Sequence, residues 1–350
     1  TPLTPGVAPS MADHSVSTIA HAGEPAGEDA HARRTSSAFA SALSPRRIGA
    51  VYVWIAIIVV FGILEPDTFL TTGTAKTILN NFAITGIVAL SLVIPLAAGL
   101  FDVSVGYVVG LAGVVAAHAV AELGLGAWPA VIFTLIVCVA IGLVNSLVVV
   151  VLNVNSLIGT LATGSLFSAA TIAVSDERSI TRNVNKLSDI LASKHVLGVT
   201  IPVVVMLVAM AVIAIVLEQT ALGRYWYAIG FDPQVARLVG VRVRALQTAA
   251  LVCGSVLAGI AGILLTARIG SGSPTTGPSY LLPAFAAVFL GATQFRNGRF
   301  NPYGTVVAVL LIGTGTIGLS LAGAPRWSSQ VFQGLVLIAA VALTGTVRRR

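Results

Sequence analysis

The sequence predicts an all-α fold, a polytopic transmembrane helical bundle of about ten spans, one of them short or re-entrant. Three observations carry that prediction. The chain is 56% hydrophobic and only 9% charged, whereas a soluble domain carries roughly 25% charge. Its apolar residues fall into runs of about 20, the length a helix needs to cross a hydrocarbon core. Its 35 glycines suit membrane helices, which use Gly more often than soluble ones do.

Residues 1–45 stand apart. They hold Ala, Ser, Pro, Gly, Glu and His with almost no large apolar side chains. Such a segment cannot bury a core, and it predicts a disordered cytoplasmic tail. No apolar stretch follows a short basic start, so it does not read as a signal peptide. His14, His21 and His31 are spaced too widely for a metal site. The membrane domain occupies 46–350. Its candidate spans are 48–64, 77–98, 103–121, 128–151, 156–175, 200–218, 246–266, 281–293, 303–322 and 328–346. The eighth, "LLPAFAAVFLGAT", is too short to cross and predicts a half-span held in protein. The loop 176–199 is mixed in charge. Its Leu187, Ile190 and Leu191 suggest a short amphipathic helix, with a plain connector as the alternative.

Orientation follows from Lys and Arg. With the N-terminus inside, thirteen of the 20 fall on inner segments and seven on outer ones, four of those in 176–199. Cytoplasmic loops carry the excess of positive charge. The expected protein is therefore multi-pass, with both termini and residues 220–247 in the cytoplasm. The net charge of +7 is accounted for by these loops, and no nucleic-acid partner is implied.

Residues 220–247, "TALGRYWYAIGFDPQVARLVGVRVRALQ", separate two long apolar runs and contain a capped miniature helix. Asp232 suits its N-cap, Pro233 its first position and Gly240 its end. Val235, Leu238 and Val239 share a face at i, i+3 and i+4, with Gln234 and Arg237 elsewhere on the surface. Two readings stay open for it: a helix lying on lipid headgroups, or one docking into a partner protein.

The spans hold no recognisable reaction chemistry. There is no P-loop, no HExxH, no GxSxG and no Cys/His cluster. Cys138 and Cys253 lie in apolar runs and read as small core residues. Asp102 is the exception in an otherwise uncharged stretch. A charge at the bilayer centre costs about 2.5–3.5 kcal/mol on insertion scales, so Asp102 sits at an interface, caps the helix that Ser104 and Gly106 begin, or lines a polar cavity. Ser104, Asn145, Asn155, Thr160 and Thr163 are the other candidates for a polar path. Hydroxyls and amides suit a neutral, hydroxyl-rich solute, but they also serve close helix packing. With few charged relays inside the spans, coupling to a proton or sodium gradient is harder to supply, and the energy would then come from outside the chain.

Several stretches, taken together and in order, resemble the ribose-type ABC importer permeases. "GLFDVSVGYVVGLAGVVAA" (99–117) is similar to that family's "GIDLSVG" run. "NVNSLIGTLATGSLFSAATIAV" (153–174) resembles its next signature. "TALGRYWYAIGFDPQVARLVGVRV" (220–243) resembles its Gly-Arg, "YAIG" and "ARLVGV" sequence, and "LAGIAGILLTARIGSGSPTTGPSY" (257–280) also fits. The likeness covers about 46–347. Two stretches depart from it: Leu281 and Leu282 stand where the family tends to carry an acidic residue, and "LGATQFRNGRFNPYG" (290–304) replaces a Gly-rich run.

The resemblance implies a bacterial inner-membrane permease subunit that is not itself an enzyme and binds no cofactor. ATP and Mg belong to a separate ABC ATPase, in whose cleft the capped helix docks. Arg224, Asp232, Pro233, Val235, Arg237, Leu238 and Gly240 are then the coupling residues. A solute-binding protein delivers a monosaccharide or similar polyol from outside. A second permease copy, identical or a paralogue, completes the path within the lipid. The rival reading is an ion-coupled secondary transporter.

Overall fold

The computed structural model describes residues 45–348 apart from 194, 197, 296 and 297. The expectation of a disordered tail lies outside the described residues.

Every predicted span is a helix. In chain order these are α1 (Pro45–Leu64), the short α2 (Pro66–Phe69), α3 (Thr72–Ala97), α4 (Val105–Ala121), α5 (Ala127–Ser146) and α6 (Ser156–Ser175). A π-helical turn, Leu147–Val151, continues α5. The small α7 (Asn185–Leu191) follows, then a two-stranded antiparallel pair, β1 (His195–Val196) and β2 (Val199–Thr200). Next come α8 (Ile201–Gln219), α9 (Ala221–Phe231), α10 (Pro233–Leu238) and α11 (Val243–Ile269). A 3-10 turn, Gly277–Tyr280, leads into α12 (Leu281–Ala292), and α13 (Pro302–Leu321) and α14 (Arg326–Arg348) close the chain. Six of these segments are long and apolar enough to cross a membrane by length and composition, and α1, α4 and α12 lie in shorter apolar stretches.

Local chemistry sets the helix starts. Thr71, Asn155, Asp232 and Asn301 each accept a backbone N–H two or three residues ahead, which satisfies one of the donors a helix start leaves free. Proline occupies the first turn of α8, α10 and α13, where its missing N–H is harmless.

The centre of the bundle is α3, α4 and α11. The α11 face meets its neighbours through small residues. A Cβ on Gly262 would press into the Val109 carbonyl oxygen, and one on Gly142 of α5 would meet the Val252 backbone. Small residues let helices approach closely where lipid gives no hydrophobic drive to associate. By contrast α5 and α6 turn large apolar residues outward, among them Ile132, Ile136, Leu161 and Leu166.

Side-chain contacts sort the loops between two ends of the bundle. At one end Arg268 donates to the Asn80 carbonyl, Thr200 bonds Asn80, and Ser188 of α7 donates to the Ala267 carbonyl. The predicted amphipathic helix of 176–199 is therefore α7, with Leu187 fully buried. At the other end α9 and α10 pack beside the beginning of α11 and the loop before α13.

Candidate functional site: a capped short helix and a buried polar knot

The capped miniature helix has the form its sequence dictates. The Asp232 carboxylate accepts from Gln234 N at 2.7 Å and Val235 N at 3.1 Å. Pro233 is the first helical residue. Gly240 follows with φ +85°, a left-handed conformation that L side chains disfavour. Ala236 anchors α10 inward against Ile229 and Val243. That leaves Val235, Leu238 and Val239 turned outward, 55%, 87% and 75% exposed. Phe231, at the end of α9, is 90% exposed beside them. Arg224 and Arg237 are also exposed. The result is an apolar tip with cations around it, on a rigid capped stub.

The polar candidates of the spans form one buried knot. Asp102 Oδ1 accepts from both the backbone N and the hydroxyl of Ser104, at 3.0 and 2.6 Å. Ser104 Oγ accepts from Asn145 Nδ2 at 2.8 Å. Asn145 Oδ1 accepts from the Thr163 hydroxyl. Thr160 Oγ1 accepts from Val103 N at 2.9 Å and is within 3.1 Å of the Phe101 carbonyl. The knot ties the α3–α4 linker to α5 and α6. Asp102, Ser104, Asn145 and Thr160 have no exposed surface, and Thr163 only 2%. In this chain the side chains face one another rather than open space. Within the knot, Asp102 Oδ2 is left without a hydrogen-bond partner. Asn155 is outside the knot: it is exposed and caps α6 through Leu157 N.

Comparison with known proteins shows the family of the chain. A family model described as branched-chain amino acid transport system / permease component matches residues 74–341. The chain belongs to that permease family. It is 29% identical over 290 residues to the ribose import permease protein RbsC of Haemophilus influenzae, covering 82% of this chain and 89% of that protein. It is 30% identical over 299 residues to the RbsC of Bacillus subtilis, covering 85% and 92%. It is 28% identical over 300 residues to the D-allose transport system permease protein AlsC of Escherichia coli, covering 85% and 91%. No solved structure matches it. The chain is thus a multi-pass inner-membrane permease component of an ABC importer, with ATP hydrolysis on separate subunits.

Three features of the permease escape a reading of its sequence. The first is α9, which lies within what reads as one loop. Its Trp226 Nε1 donates to the Leu246 carbonyl and its Tyr227 hydroxyl to the Phe300 carbonyl. The second is the segment between α11 and α12. It leaves α11 at Gly270 and runs back alongside α4: a Cβ on Gly272 would meet Ala117, and one on Gly277 would meet Gly106 and Gly110. Gly272 also exchanges two backbone hydrogen bonds with Ile180. A small crevice between this segment, α4 and the end of α11 is lined by Thr266, Ser271, Ser273 and Thr276 among others. The third is a run of rings: Phe101 stacks on Phe289 at 6.2 Å, Phe289 on Phe285 at 6.2 Å, and Phe300 meets Phe289 edge-on at 5.6 Å.

Proposed function

We propose that this permease imports a monosaccharide or similar polyol, driven by ATPase subunits that bind ATP and Mg and grip α10. The single observation behind the coupling role is the capped α10, which turns Val235, Leu238 and Val239 to solvent while Ala236 holds it to the bundle. A soluble face has no reason to expose three large apolar residues on so short a helix, and a partner cleft does. The family's permeases act with ATPase and solute-binding partners. The solute class rests on the similarity to ribose and D-allose permeases and on the neutral hydroxyl and amide character of the span interior.

The same reading has about ten spans, one of them short or re-entrant, with both termini and α10 in the cytoplasm and α7 outside. It is supported by the excess of Arg around α9 and α10. A second copy of the chain or a paralogue completes the path. The test is Leu238→Asp. It touches no span, so the protein inserts, but a charge in an apolar cleft is costly. Loss of the co-purifying ATPase subunit, or of its stimulation by loaded solute-binding protein, is the expected result. Normal assembly and normal transport would remove the reason for a coupling role.

One observation favours an ion-coupled secondary transporter instead: the buried Asp102 carboxyl has an oxygen without a partner. That reading requires transport to proceed without an ATPase and to stop when Asp102 is made Asn.

A further inference from the structure

Resting on the permease reading above, we propose that the solute path runs along the face made by residues 270–280 and α12. The rings of Phe101, Phe285, Phe289 and Phe300 close it at the α10 end, and α9 is the arm that moves them.

The face is argued from backbone. Between Gly272 and Gly277 the chain is not α-helical, and these glycines lie against Ala117 and Gly106 of α4. That stretch of α4 is about 16 Å long at 1.5 Å per residue, so the segment descends well into the bundle. Non-helical backbone at membrane depth is tolerated only where protein buries it or where it lines a watery cavity. Here it is not wholly buried: Thr275 and Ser279 are exposed. Two exposed hydroxyls on such backbone suit water and solute, not lipid. Ser279, Leu282, Phe285 and Phe289 then follow at helical spacing on one face, with Leu282 exposed and the two rings half-buried. Two shorter apolar stretches, α4 and the one from Gly277 through α12, meet where Gly277 touches Gly106 and Gly110.

The closure is argued from the rings. Phe289 is the hub, touching Phe101, Phe285 and Phe300. Phe101 comes from the α3–α4 linker, whose Gly99 and Phe101 are exposed. Four clustered rings, two stacked on Phe289 and one edge-on to it, form an apolar constriction at the end of that face, and such constrictions gate by excluding water.

The arm is argued from contacts. Helix α9 touches both carriers of the outer rings. Its Tyr227 hydroxyl donates to the Phe300 carbonyl at 2.7 Å, with Arg299 over the Tyr227 ring at 5.5 Å. Its Gly230 lies so close to the linker that a Cβ there would fall 2.2 Å from the Ala97 carbonyl oxygen and 3.1 Å from Gly99 N. Asp232, the cap of α10, follows two residues later. A displacement of α10 is therefore passed to Phe300 and to the stretch before Phe101 without any intervening element.

The experiment uses single cysteines in the full chain, assembled with its ATPase in proteoliposomes. Cys253 is replaced by Ser, and the fully buried Cys138 is kept. A charged, membrane-impermeant methanethiosulfonate reacts with Ser279→Cys or with the lipid-side control Ile136→Cys. Ser279→Cys reacts from the side opposite α10 and is protected from the α10 side, while Ile136→Cys is unreactive from both. Adding Phe101→Ala makes Ser279→Cys reactive from the α10 side, and adding Phe101→Trp does not. Tyr227→Phe keeps the ATPase bound but lessens the change in Ser279→Cys reactivity on adding a non-hydrolysable ATP analogue. The inference is overturned if Ser279→Cys reacts no faster than Ile136→Cys, if Phe101→Ala leaves protection intact, or if Tyr227→Phe behaves as wild type. Failure to retain the ATPase at all would instead overturn the permease reading on which the inference stands.

Discussion

Replacing Asp102 by Asn and by Ala separates a helix-start role from a proton-relay role. In the wild type, Oδ1 takes two donors, Ser104 N at 3.0 Å and Ser104 Oγ at 2.6 Å, and Oδ2 takes none. An Asn can put its amide oxygen where Oδ1 sits and keep both bonds. Its NH2 then replaces an oxygen that had no partner, so no existing bond is lost. The two retained bonds weaken, because a carboxylate acceptor makes hydrogen bonds roughly twice as strong as neutral ones. Against this, the buried carboxyl itself is gone. The two effects oppose each other, and Asp102→Asn should lie within about 1.5 kcal/mol of wild type, the upper end for one ordinary hydrogen bond.

Ala offers no acceptor. It strands the Ser104 backbone N–H, and the Ser104 hydroxyl keeps only the bond it accepts from Asn145. A buried donor left unsatisfied costs about 1–3 kcal/mol. The hydroxyl can turn and the N–H cannot, so about 2–4 kcal/mol is expected from this pair of donors. The assay is the thermal midpoint of the detergent-solubilised full chain, followed by size-exclusion fluorescence, with solute uptake as a second readout. The expected order is wild type close to Asn, and Ala well below both. An Ala variant that melts with wild type while Asn collapses would refute the bonding argument. An Asn variant that folds normally but transports nothing would refute the ATP-driven reading in favour of a relay.

Other perturbations test other parts. Gly240→Val should cost roughly 1–2 kcal/mol of local stability, because a side chain is forced to φ > 0, although nothing lies within 4 Å of the new Cβ; weaker ATPase retention in co-purification is the measurement. Gly277→Ala should lower the thermal midpoint markedly, since its Cβ would sit 2.4 Å from both the Gly106 carbonyl oxygen and Gly110 N, and backbone on both sides must separate. Gly334→Ala in α14, with open space around it, should instead raise the midpoint slightly, by the roughly 0.5–1 kcal/mol that Ala gains over Gly in a helix. Lys186→Cys, exposed on α7, should react with an impermeant thiol reagent in intact cells; reaction only after lysis would invert the topology.

Much of the fold was legible because membrane helices write themselves locally. Each apolar run between polar breaks became one helix, and the capping residue Asp232 marked the start of α10 to the residue. The capped α10 could be read whole, since cap, proline, apolar face and terminal glycine all lie within nine residues of sequence. The polar knot was legible only as a set of residue types. Asp102, Ser104, Asn145, Thr160 and Thr163 could be singled out as unusual in apolar runs, but not that they bond one another. Asn155 was indistinguishable from them by type, and it turned out to do the ordinary work of a cap. What stayed hidden depended on contacts between distant segments. Phe101 and Phe289 carry no mark that they stack, because any phenylalanine in a span is compatible with lipid.

The glycines show most clearly where local reading stops. A glycine-rich span suggests close packing somewhere, yet the sequence does not say which glycine meets which. In the structure Gly277 meets Gly106 and Gly110, Gly230 meets the backbone at Ala97 and Gly99, and Gly291 meets Gly304. Each contact brings two backbones together at a place where a helix begins, ends or is interrupted. With no side chains between them, such contacts transmit position rigidly, because protein interiors are close-packed and have little slack to absorb a shift. The contact of Gly230 with the α3–α4 linker therefore matters for more than packing. It joins the helix just before α10 to the segment that carries both Phe101 and Asp102, and a larger residue there would push that segment away from α9.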